Sequence, residues 1–152
     1  MPRHAGSVPG CRRRADEPVP GWLDLAREFT ETWVHHQQIR HALGLATDPT
    51  RLPTVLRTFV WALPHQYRVH ALAGTRVAID LSSGGCWNLT STGERRWSLD
   101  RTSGSTAAAS VTFTNEAAWR SFVGQPLPHG EVTCTGPSAL TEPVLRVRAI
   151  IT

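Results

Sequence analysis

The longest regular pattern in the chain runs from Trp22 to Leu43, where Trp22, Leu25, Ala26, Phe29, Trp33, Ile39 and Leu43 recur at helical spacing. No proline interrupts this stretch, and Gly44 marks its C-terminal stop. The spacing predicts one helix of about 20 residues, long for a small domain. A lone amphipathic helix is marginal in water, so the apolar stripe predicts burial against other helices. The residues before Trp22 show no such periodicity. The cover is therefore expected from elsewhere, self-association through the Trp22–Leu43 helix included.

A second helix is predicted from Thr50 to Leu63, with Leu52, Val55, Leu56, Phe59, Val60 and Leu63 forming one apolar face. Pro64 is expected to break or kink it. The period changes at Thr75, where Val77, Ile79 and Leu81 alternate with Ala78 and Asp80 as in a strand. Ser82-Ser83-Gly84-Gly85 should turn the chain into a strand over Cys86–Thr90. Ser91-Thr92-Gly93 should turn it again into Arg95–Leu99, with Trp87, Leu89, Trp97 and Leu99 sharing a face. A strand over Ala108–Thr114 and a helix capped by Asn115 and ending at Val123 follow. A short strand near Glu131–Thr135 and a helix from Pro137 toward Ile150, with Pro143 inside it, close the pattern. This mixture predicts an α+β fold. Residues 1–20, with prolines and glycines around Arg12-Arg13-Arg14, read as a disordered leader. Residues 21–64 form a helical part and residues 65–152 a small α/β domain.

Composition narrows the function classes. The chain has 152 residues, 40% of them hydrophobic and 18% charged, as in a globular protein. No apolar run approaches the roughly 20 residues needed to span a bilayer, so no membrane partner is expected. The formal charge of +4 comes from arginine without a single lysine, and the arginines form no continuous stripe. Nucleic acid is therefore not an expected partner. Cys11, Cys86 and Cys134 are an odd, widely spaced set that suits reduced thiols and a cytoplasmic setting. Cys86 and Cys134 fall on predicted strands and are expected to be buried and inert. Trp33, Trp87, Trp97 and Trp119 fall on expected core faces, and His36 and His41 on solvated ones.

The candidate chemistry lies in the first helix. Glu31 and His35 are four residues apart, so their side chains share a face, with Glu28 one turn before and Gln38 one turn after. A carboxylate and an imidazole so placed suit zinc, iron or nickel. Catalytic zinc takes three protein ligands, and His65, His70 and His4 all lie outside this helix. The residue types alone leave two readings open, an ion pair on a wet helix face or half of a metal site.

The run Glu31-Thr32-Trp33-Val34-His35-His36-Gln37-Gln38-Ile39-Arg40, with Ala42-Leu43-Gly44, resembles the last bundle helix of the mycothiol-dependent maleylpyruvate isomerase family, in the DinB superfamily. Gly74-Thr75-Arg76-Val77, Gly84-Gly85-Cys86-Trp87, the Phe59–Pro64 helix end and Gly136 resemble that family's second domain, which is related to sterol carrier proteins. The resemblance covers about Trp22 to Ile151 and is most specific around Glu31 and His35. It implies the end of a DinB-like helical bundle followed by a small sterol-carrier-like α/β domain. It also implies that Glu31 and His35 are two of three metal ligands. The third, a histidine on an early bundle helix, has no counterpart here, and Gln38 stands where many members carry aspartate. The implied cofactors are a divalent metal, zinc first, and mycothiol. The implied partners are that thiol and a small electrophilic substrate, and the implied reaction is thiol addition or isomerisation by a shortened family member. The alternatives are a non-catalytic small-ligand-binding module and an inactive fragment.

Overall fold

The computed structural model describes residues 21–101 and 106–149, with side chains from Asp24 onward. The expected leader at 1–20, and the end of the chain beyond Ala149, lie outside the described residues. The architecture is α+β: a five-stranded mixed sheet in the order β3-β2-β1-β4-β5, with helices packed on one of its faces. None of the described helices is long and apolar enough to cross a membrane.

Helix α1 (Gly21–Ala42) ends as Gly44 dictates. Gly44 takes φ +71°, and its N–H bonds the His41 carbonyl at 2.9 Å while the Leu45 N–H reaches back to Arg40 at 2.9 Å. Both orphan carbonyls of the last turn are thereby satisfied. Helix α2 (Leu52–Phe59) tightens into a 3-10 turn (Val60–Ala62) and continues as α3 (Leu63–Gln66). All six apolar positions expected on this face are buried. Pro64 does not end the helical path. It sits in the first turn of α3, where its fixed φ and missing N–H cost nothing.

Strands β1 (Arg76–Asp80), β2 (Cys86–Gly93) and β3 (Arg96–Asp100) form the antiparallel meander. Strand β4 (Ala109–Phe113) joins β1 in parallel, and β5 (Val132–Thr135) closes the edge against β4. Register places Val77 beside Leu89 and Ala109, and Ile79 beside Trp87 and Val111, so these side chains share the covered face. Phe59 of α2, and Trp119 and Phe122 of α4 (Asn115–Val123), are buried in the same cluster. Ala78, Thr90, Ser98, Ser110 and Thr112 occupy the opposite face.

Four local expectations need correction. The β2–β3 turn falls at Glu94-Arg95 rather than Ser91-Thr92-Gly93, with φ of +51° and +62° at those two residues. Both lie in the left-handed region, as a two-residue hairpin turn that follows sheet twist requires. Ser91 stays in the strand because it is buried beside Trp97 and donates its hydroxyl to the Ala71 carbonyl. The cap of α4 is Thr114, whose hydroxyl accepts the Ala117 N–H at 3.2 Å. Asn115 instead accepts from the Ser83 N–H and hydroxyl, at 3.0 and 2.7 Å, tying α4 to the β1–β2 turn. The last helix, α5 (Ser138–Leu145), runs through Pro143 and stops two residues after it, where the Arg146 and Val147 N–H groups close tight bonds to the Pro143 and Val144 carbonyls. Finally, Cys86 and Cys134 are exposed free thiols. Cys86 pairs with Asp80 at the start of β2, and Cys134 lies on the edge strand.

Two glycines mark backbone approaches that no side chain can enter. A Cβ on Gly84 would meet the Leu56 Cβ at 2.6 Å, and one on Gly136, at φ +86°, would meet the Ala108 carbonyl oxygen at 2.5 Å. Gly84→Ala should cost about 1–3 kcal/mol by overpacking α2 against the β1–β2 turn. Gly136→Ala adds backbone strain and should cost about 2–4 kcal/mol. Thermal melting followed by circular dichroism should show losses of roughly 3–10 °C, larger for Gly136.

Candidate metal half-site on the first helix

The side of α1 that faces the body takes only part of the stripe its apolar residues outline, Trp33 and partly Phe29. Thr30, Trp33, Val34 and Gln37 are buried, at i, i+3, i+4 and i+7, whereas Leu25, Ile39 and Leu43 are 69%, 59% and 70% exposed. The reason lies in the partners. Trp33 meets Trp119 of α4 edge-on at 5.7 Å and 87°. The Gln37 side-chain Oε1 accepts the Asp48 N–H at 2.8 Å, so a polar residue is satisfied at the centre of the contact. Trp33 carries the cost, since its buried indole N–H has no partner among the described residues.

A second tie fixes the end of the helix. His41 Nε2 lies 2.8 Å from the Thr47 hydroxyl, which donates to Glu116 Oε2 at 2.7 Å. Arg120 Nε and Trp119 Nε1 donate to the same carboxylate at 2.6 and 3.0 Å. Because the Thr47 proton goes to Glu116, His41 Nε2 must donate to Thr47, leaving Nδ1 to accept from Arg120 at 3.5 Å. This chain of bonds places a proton on His41 Nε2. Burial alone would raise the Glu116 pKa, but the bonds from Thr47, Trp119 and Arg120 and the Arg120 charge outweigh it and hold the group below its ordinary 4.5. His41 is thus half-buried and bonded rather than solvated, while His36 is exposed as expected. Arg40 acts structurally, donating to the Ala46 carbonyl at 2.9 Å.

With the inner face so used, Glu31 and His35 project from an outer flank. They share that flank as their spacing predicts. Arg27 Nε holds Glu31 Oε1 at 2.9 Å, and the arginine side chain is 60% exposed. His35 is exposed, and its Nδ1 lies 3.1 Å from Gln38 Oε1. A carboxamide oxygen only accepts, so this bond places the proton on Nδ1 and frees the Nε2 lone pair for a ligand. Gln38 therefore gives the histidine the oriented partner that an aspartate would give.

The donor set suits a divalent ion in kind and falls short in number. Among the described residues, no three His, Cys, Asp or Glu side chains gather into a metal-holding group. His65 lines a groove of about 340 Å³ with Asp24, Arg27, Phe59, Trp61 and Ala149, beside α1 but apart from Glu31 and His35. His36 lines another of about 440 Å³ on the opposite flank, with Trp33, Asp48 and Arg51. Asp48 is held below its usual carboxylate range, first by the Thr50 backbone and hydroxyl and then by the Arg40 and His36 charges. His4 lies outside the described residues.

Sequence reasoning missed the His41–Thr47–Glu116–Arg120 network. Only the i,i+4 spacing of Glu116 and Arg120 signalled it. A carboxylate with a depressed pKa stabilises the fold above its unfolded-state value and ceases to do so as pH falls through the folded one. The chain should therefore lose thermal stability as pH drops below about 4.5, and Glu116→Gln should be less stable at pH 7 and show a flatter acid limb. Melting curves between pH 3 and 7 check this. The sequence matches no family model and no curated protein.

Proposed function

We propose that this chain supplies two metal ligands and an α+β body to a metal-assisted thiol reaction, as a member of the mycothiol-dependent maleylpyruvate isomerase-like family. The observation that carries the reading is the placement of Glu31 and His35 on one open flank of α1, with Gln38 fixing the histidine tautomer. Imidazole and carboxylate together suit zinc. A bound ion would supply a thiolate at neutral pH, the form in which mycothiol adds to an unsaturated diketo acid. The chain's own part is positional. Gln38 orients His35, and Arg27 holds Glu31 in place through an exposed pair weak enough to yield to a metal. The third ligand comes from beyond the donors that this one chain's described residues bring together. A DinB-like helix before a sterol-carrier-like domain, and a cytoplasmic setting where thiols stay reduced, belong to the same proposal.

A second reading, a non-catalytic module for a small apolar or acidic ligand, draws on the groove at α1, the 3-10 turn and α3. Phe59, Trp61, Ala62 and Ala149 give it apolar walls, and Arg27, His65 and Gln66 give it polar ones.

Metal analysis of the purified full chain by mass spectrometry separates the two. The first reading expects zinc at a fixed ratio, lost in both Glu31→Ala and His35→Ala and retained or strengthened in Arg27→Ala. No bound metal after incubation with excess zinc overturns it and leaves the groove as the site to explain.

A further inference from the structure

A metal half-site and an uncovered aliphatic stripe occupy the same helix. Leu25, Ile39 and Leu43 are each more than half exposed, and they lie on the outer side of α1 next to the flank that carries Glu31 and His35. We infer that a second copy of this chain covers that side, with the two α1 helices antiparallel, and that each copy completes the other's metal site. This rests on the proposed function above.

Helix geometry favours the arrangement. Antiparallel pairing about Val34 brings Leu25 opposite Leu43 of the second copy, since each lies nine residues from that centre, about 13.5 Å along the axis. The same centre leaves Glu31 and His35 only about 4.5 and 1.5 Å from the two-fold position. A two-fold axis perpendicular to the plane of the two helices keeps equivalent flanks on the same side. Both Glu31–His35 pairs therefore gather along one side of a single seam. Four donors, two imidazoles and two carboxylates, then stand within one turn of the axis. That exceeds the three protein ligands zinc requires, which no set within one chain's described residues meets.

Charge runs the same way. Asp24, Glu28 and Glu31 against the single Arg27 leave the first half of α1 negative, and Arg40 makes the second half positive. Head-to-tail apposition places each half against its opposite, and it opposes the two helix dipoles favourably. A parallel pair would set like against like. Three aliphatic side chains make a small interface. Pairing should therefore depend on the metal, and the metal on pairing.

Sedimentation of the full chain with added zinc or with chelator, beside metal analysis of the separated species, tests this. The expected result is one zinc per two chains, with the monomer–dimer midpoint moved about tenfold or more to lower concentration by zinc. Ile39→Glu and Leu43→Glu, both at exposed sites, should keep the circular dichroism of the parent yet abolish the zinc-bound dimer. His35→Ala should remove the zinc dependence. A monomer holding one zinc per chain overturns the shared site and leaves the proposed function standing. A monomer without zinc overturns both. A dimer that survives the Ile39 and Leu43 substitutions, or ignores zinc, overturns the inference by placing the contact elsewhere.

Discussion

A helix of 22 residues has more than one face to offer, and the edge-on contact of Trp33 with Trp119, 5.7 Å between ring centres, sets which face of α1 meets the body. Everything useful about the helix follows from that seating. Gln37 can be buried only because the Asp48 N–H stands ready to donate to it, and Thr30 only because its hydroxyl returns to the Arg27 carbonyl at 2.8 Å. Once these two polar residues occupy the inner face, the apolar residues at Leu25, Ile39 and Leu43 turn outward, and Glu31 and His35 with them. Stability and candidate chemistry thus divide the helix between them.

The His41–Thr47–Glu116 chain closes the same contact from the other end. It joins the last turn of α1 to the start of α4, and α4 is itself held to the β1–β2 turn through Asn115 and Ser83. A displacement of α1 would therefore reach the β1–β2 turn through three successive links, His41–Thr47, Thr47–Glu116 and Asn115–Ser83. Buried polar networks of this kind favour one arrangement because their members lose more unpaired than they gain paired. Here the arrangement favoured is the one that presents the flank of Glu31 and His35 to solvent.

The limits of the sequence are visible in particular residues. The face of α2 was legible because all its inward positions are apolar and obey one period, and β1 was legible from strict alternation. The Glu31–His35 pair was legible because four residues make one helical turn whatever surrounds them. The burial of α1 was not, since Gln37 outranks Ile39 only through Asp48, eleven residues away. Thr47 and Glu116 are 69 residues apart, and no local pattern announces that they meet. The hairpin at Glu94-Arg95 was missed because neither residue carries the usual signature of a left-handed turn. Periodicity reports what is apolar, not which face the rest of the chain will choose.

A metal held jointly by His35 and Glu31 can be read directly from its ligand shell. Zinc-edge X-ray absorption on the zinc-loaded full chain counts the ligands by type and distance. The account predicts a shell of nitrogen and oxygen only, with more than one imidazole, and its collapse in His35→Ala. Sulfur in that shell, at the roughly 2.3 Å of a zinc–thiolate bond, would mean that one of the three cysteines binds the ion instead and would contradict it.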